Sequence, residues 1–154
     1  MENGQTLQRM KDYADGGAAS PPPANLTQGQ RRCFCEAVNL TGQAVGDRIG
    51  VARLPVNAVF LGIEITTPVD LGAATLAFGD YANDGWFAAA APVGAIDTPV
   101  RRGNAAVMGV PIVIGYDSDD GSTDKGYEDI VMVVGGAALP DGNNIKIVTE
   151  YAVD

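Results

Sequence analysis

Two cysteines one residue apart, Cys33 and Cys35, are the strongest nucleophiles in this chain, and no histidine accompanies them. A thiol becomes catalytic when a neighbouring base or positive charge draws off its proton. Without histidine the commonest general base near neutral pH is missing, and so is the commonest metal ligand. On an extended strand the two sulfurs point to one face, where a bond between them would need backbone strain. The pair therefore reads as two small buried hydrophobes, and two sulfurs alone do not complete a tetrahedral metal set. Free thiols also suggest assembly in a reducing compartment.

Carboxylates are the next group able to do chemistry. Asp117, Asp119 and Glu128 occupy the first, third and twelfth places of a calcium-loop spacing. Gly121 stands where a fifth-place ligand is needed and Ser122 where the loop requires glycine, so a solvated, charged hairpin loop is the expectation. Asp80 and Asp84 have acid–base potential, but Asp84-Gly85 is a turn dipeptide, and both read as turn formers. No phosphate-cradling glycine loop, nucleophile elbow or metalloprotease helix is present. No enzyme, cofactor or metal is expected. The formal charge of −9 argues against nucleic acid and anionic membranes as partners.

Within this acidic background, Arg31-Arg32 and Arg101-Arg102 stand apart. Guanidinium pairs can grip acidic patches on a partner bidentately, beside the plainer role of surface solubility. Trp86-Phe87 is read as an anchor at a core edge, or, together with Tyr81, as a platform for a stacked glycan.

The elements that must hold these residues are short strands. In Ala58–Thr66, Val59, Leu61, Ile63 and Ile65 fall on one face of an extended chain, and Ala58, Phe60, Gly62, Glu64 and Thr66 on the other. Ala74, Leu76 and Phe78 repeat the alternation. Twenty glycines and nine prolines supply the turns. Further strands are expected over 31–40, 48–54, 105–116, 130–134 and 144–153, with a loop over 80–99 and a turn at Leu139-Pro140-Asp141-Gly142. In 105–116, Val110, Ile112, Ile114 and Tyr116 would share a face. About eight strands with no crossover helix predict an all-β, antiparallel, jelly-roll-like sandwich over residues 30–154. Residues 1–29 differ in kind. A short amphipathic run carrying Leu7, Met10 and Tyr13 precedes a Gly- and Pro-rich stretch, which predicts a flexible, extended N-terminal arm, either a disordered leader or a segment that orders against a neighbouring subunit. No apolar run of about 18 residues and no apolar signal core occur, so a soluble chain made in the cytoplasm is expected.

The run RIGVARLPVNAVFLGIEITTPVDLGAATLAFGDYANDGWF, with the closing NIKIVTEYAVD, resembles small structural proteins of tailed-bacteriophage virions. Its marks are Leu54-Pro55, the apolar strand Val59–Ile65, the run Leu76–Asp80 and the aspartate-rich turn Asp84–Phe87. The resemblance implies a capsid cement or decoration protein: a non-enzymatic β-sandwich on the capsid surface of a virion, made in the host cytoplasm. Its implied partners are the major capsid protein and further copies of itself, as a homodimer or a trimer. The expected interface residues are Leu7, Met10, Tyr13, Arg31 and Arg32 from the arm side, and Trp86, Phe87, Arg101 and Arg102 from the domain. The rival from another class is a receptor- or glycan-binding virion module. A sandwich-fold enzyme with a carboxylate pair in a cleft is a third.

Overall fold

The computed structural model of the chain describes residues 30–113, 115 and 126–153. Among these residues there is no helix. Eight strands follow one another: β1 (Gln30–Thr41), β2 (Arg48–Pro55), β3 (Val59–Thr66), β4 (Thr75–Gly79), β5 (Ala88–Pro92), β6 (Val100–Arg102), β7 (Tyr127–Gly135) and β8 (Asp141–Val153). They form two four-stranded sheets in the orders β1-β8-β3-β6 and β2-β7-β4-β5, with every pairing antiparallel. The chain crosses between sheets at nearly every connection, and the last strand lies beside the first. This is the strand order of a jelly roll.

The core lies between the sheets. Phe60, Ile63 and Ile65 from β3 and Ile145 and Ile147 from β8 face Leu54, Leu76, Phe78, Ile130 and Met132, all completely buried or nearly so. Phe60 and Phe87 meet edge to face, with centroids 4.9 Å apart, the arrangement that ring quadrupoles favour.

Several expectations need correcting. In β3, the strict alternation places Phe60 opposite to Ile63 and Ile65, yet all three face the core. A bulge between Phe60 and Gly62 inserts one residue and inverts the phase, and Gly62 takes φ 137, a backbone region that L side chains rarely enter. The segment 80–99 contains β5, and β6 follows it, in place of one long loop. Four alanines carry no apolar contrast for a periodicity to reveal, whereas Ala88 is fixed opposite Phe78 by tertiary pairing. The stretch 105–113, read as a strand, makes a single bridge from Pro111 to Val59. Turn hydrogen bonds from Val107 and Met108 to the Asn104 carbonyl wind it, and Val110 and Val113 are exposed while Ile112 is buried. Ile114 and Tyr116 lie outside the described residues. Of the turn expected at Leu139–Gly142, Leu139 and Pro140 precede β8, while Asp141 and Gly142 open it at an irregularity in the β1–β8 ladder, with Gly142 and Asn143 at φ 82 and 75.

The cysteines are also misjudged by sequence. Both are free and exposed. The period that sends Val38 and Leu40 inward sends Cys33, Cys35 and Ala37 to the outer face of the sheet, at an edge strand that nothing covers among the described residues.

Candidate interaction surface

The outer face of the β1-β8-β3-β6 sheet gathers residues far apart in sequence. Cys33 stands opposite Glu150, which stands opposite Gly62 on the next strand. Arg101 lies on β6, paired with Glu64 of β3. Its guanidinium crosses β3 to reach Glu150 at 2.9 Å and donates to the Leu61 carbonyl at 2.8 Å. Gly62 makes the crossing possible: a Cβ there would sit 3.1 Å from Arg101 Nε. From the other side Arg31 reaches the same Glu150 oxygen at 2.8 Å. Arg101 and then Arg31 hold the Glu150 carboxyl below the usual carboxylate range, because they favour its charged form. Arg31 and Arg101 keep 67% and 45% of their side chains exposed, so donors remain on both for a partner.

Their sequence neighbours point elsewhere. Arg32 takes the opposite phase of β1 and is exposed. Arg102 turns between the sheets and donates to the Leu76 carbonyl at 3.0 Å and to the Pro92 carbonyl. Burial pushes its guanidinium below the ordinary value. It ties the β6 edge of one sheet to β4 and β5 of the other. Its half-buried fork binds the two sheets to each other.

Phe87, expected at an interface, is completely buried in the core of this chain. Trp86 lies half-buried against it, with centroids 5.1 Å apart, which fits the core-edge anchor. With Phe87 inside, the three aromatics present no common platform. Tyr81 instead lines a cleft. Leu7, Met10 and Tyr13 lie outside the described residues.

On the side away from Arg102, the free edges of β1 and β2 bound that cleft, of about 240 Å3, lined by Phe34, Glu36, Gly50, Val51, Ala52, Arg53, Tyr81 and Asp129. Arg53 grips Asp129 in a fork, at 2.7 and 3.1 Å, and lies 3.9 Å over the Tyr127 ring. The two candidate acid–base carboxylates are both engaged structurally. Asp80 accepts from the backbone of Ala82 and Asn83 at 2.8 and 2.5 Å, and Asp84 pairs with Arg48 at 2.6 Å. Glu128, the twelfth place of the calcium-loop spacing, is fully buried in β7, while Asp117 and Asp119 lie outside the described residues. Among the described residues no three His, Cys, Asp or Glu side chains group as a metal site would require.

Sequence reasoning missed Glu150, Gly62 and the cleft. Glu150 had a weak signal, an outward carboxylate in an alternating strand; Gly62 had a better one, a glycine inside an apolar strand.

No family model and no curated protein matches this chain. Solved structures do. A chain in the capsid asymmetric unit of cyanophage Pam1 superposes with a TM-score of 0.61 at 19% identity, covering 90% of this chain and 96% of that one. The fold is shared. A chain from the capsid of Ralstonia phage GP4 gives 0.58 at 19% identity, over 93% of this chain and 96% of that one. In both cases the likeness embraces the whole sandwich.

Proposed function

We propose that this chain is a structural component of a tailed-phage capsid: a cement protein on the shell surface that binds the major capsid protein and catalyses no reaction. The carrying observation is the near end-to-end superposition on chains found in two phage capsids, joined to the virion-protein resemblance of residues 48–154. The mechanism is linkage. A protein that binds the assembled shell and not its free subunits stabilises the shell by mass action.

Three features supply the grip in this reading. The Arg31–Glu150–Arg101 patch offers exposed guanidinium donors, held in place by the shared carboxylate, to an acidic surface on the shell. The edges of β1 and β2, unpaired among the described residues, offer backbone groups and the cleft between them. The arm, residues 1–29, brings Leu7, Met10 and Tyr13 to a neighbouring subunit, with a second copy of the chain as a further partner.

Counting copies in purified particles tests the assignment. Hundreds of copies spread over the shell are expected, with loss of the protein lowering the temperature at which particles release DNA. A handful of copies at one vertex would overturn the cement role in favour of a tail or connector part.

A further inference from the structure

We propose that Cys33 and Cys35 form a dithiol site that takes a monosubstituted arsenic(III) compound. The two sulfurs lie 3.7 Å apart, with the Cys35 thiol donating to the Cys33 sulfur. Both are free and exposed, on the outer face of β1 opposite Val148 and Glu150.

The backbone decides between a dithiol and a disulfide. Residues two apart on a strand have Cα atoms about 6.4–6.8 Å apart, the upper end of the range a disulfide spans. Closing the bond would pucker β1 against its ladder with β8, so the reduced pair is the resting form. A centre bonded to both sulfurs at about 2.3 Å with near-tetrahedral angles holds them about 3.8 Å apart. Arsenic(III), with a slightly narrower angle, draws them a little closer, so the resting separation is already close to the chelate.

Ligand number selects the centre. A closed zinc site needs four protein ligands, and among the described residues no third ligand joins the pair. Glu150 is held by Arg31 and Arg101. Arsenic(III) that keeps one organic substituent needs two sulfurs and no more. The hydrogen bond that Cys35 donates to Cys33 also pushes the Cys35 thiol above its ordinary value. A protonated thiol suits exchange with an arsenic hydroxide better than capture of a bare cation. In the step, two As–O bonds break and two As–S bonds form. The thiol protons leave with the hydroxides as two waters, arsenic stays trivalent, and no electron is transferred.

The test uses the full-length protein, reduced and shown by thiol titration to carry two free thiols, with phenylarsine oxide as probe. Intact mass is expected to show one adduct per chain that survives excess 2-mercaptoethanol and is removed by 2,3-dimercaptopropanol. Cys33→Ser and Cys35→Ser should each abolish the resistant adduct while leaving Tm unchanged, since both side chains are exposed. A resistant adduct in either single variant, or none in the wild-type protein, overturns the site.

Discussion

Thr149 sits on the core face of β8 with no exposure, and its hydroxyl finds no hydrogen-bond partner among the described residues. A buried hydroxyl without a partner carries a desolvation cost that an isosteric methyl removes. Thr149→Val is therefore expected to raise stability by about 1 kcal/mol, seen as a Tm about 3 °C higher by calorimetry; an unchanged or lower Tm would show that the hydroxyl is satisfied. Glu150 works in the opposite sense. Its folded-state carboxyl lies below the ordinary range, so its contribution is present above the unfolded pKa of about 4.3 and is lost as pH falls through the folded value. All three members of the network are partly exposed, which limits the effect to about 1 kcal/mol or less. Glu150→Gln should lower Tm slightly at pH 7. The gap to wild type should close below about pH 4 and shrink in molar salt.

At the scale of elements, the bulge in β3 is the decisive irregularity. It turns Phe60 onto the core side and opens the bare strip over which Arg101 reaches β8. Gly62→Ala forces an L residue to φ 137 and places a Cβ against the Arg101 guanidinium. A loss of about 1–3 kcal/mol is expected from the backbone strain, measured by denaturant midpoint at constant m. Wild-type stability in this variant would mean that the bulge relaxes. Arg102 has a comparable part at the opposite edge. Its two carbonyl partners lie in the facing sheet, so Arg102→Ala should destabilise the domain by about 1–3 kcal/mol, with Arg101→Ala costing less.

At the scale of the whole molecule, Arg102 ties the two sheets along one lateral side of the sandwich, and among the described residues the other side is open along β1 and β2. Long unpaired edges are hazards for a free protein and footholds for a partner. In the capsid reading, the domain and the arm divide the work. In that reading the arm serves the shell and not the sandwich, so residues 30–154 alone should melt within about 2 °C of the full chain yet occupy shells at least tenfold more weakly (about 1.4 kcal/mol). Equal occupancy, read by quantitative gel analysis of purified particles, would remove the arm from the interface.

By itself the sequence determined the class of fold. Alternation in β3, β4 and β8, glycine and proline between them, and no stretch fit for a crossover helix leave an antiparallel sandwich as the economical way to bury one face of each strand. Its arginine doublets also made Arg31 and Arg101 stand out in an acidic chain. Periodicity is a local signal, so it failed wherever a distant strand supplied the reason. Four alanines became β5 because β4 lay alongside, and a promising run after Asn104 wound into turns. Cys33 and Cys35 came to face outward because the phase of β1 that carries Val38 and Leu40 is the one turned to the core. That Arg31 and Arg101 share the Glu150 carboxylate follows from β8 lying between β1 and β3, and pairing between strands so distant in sequence leaves no mark in the order of its residues.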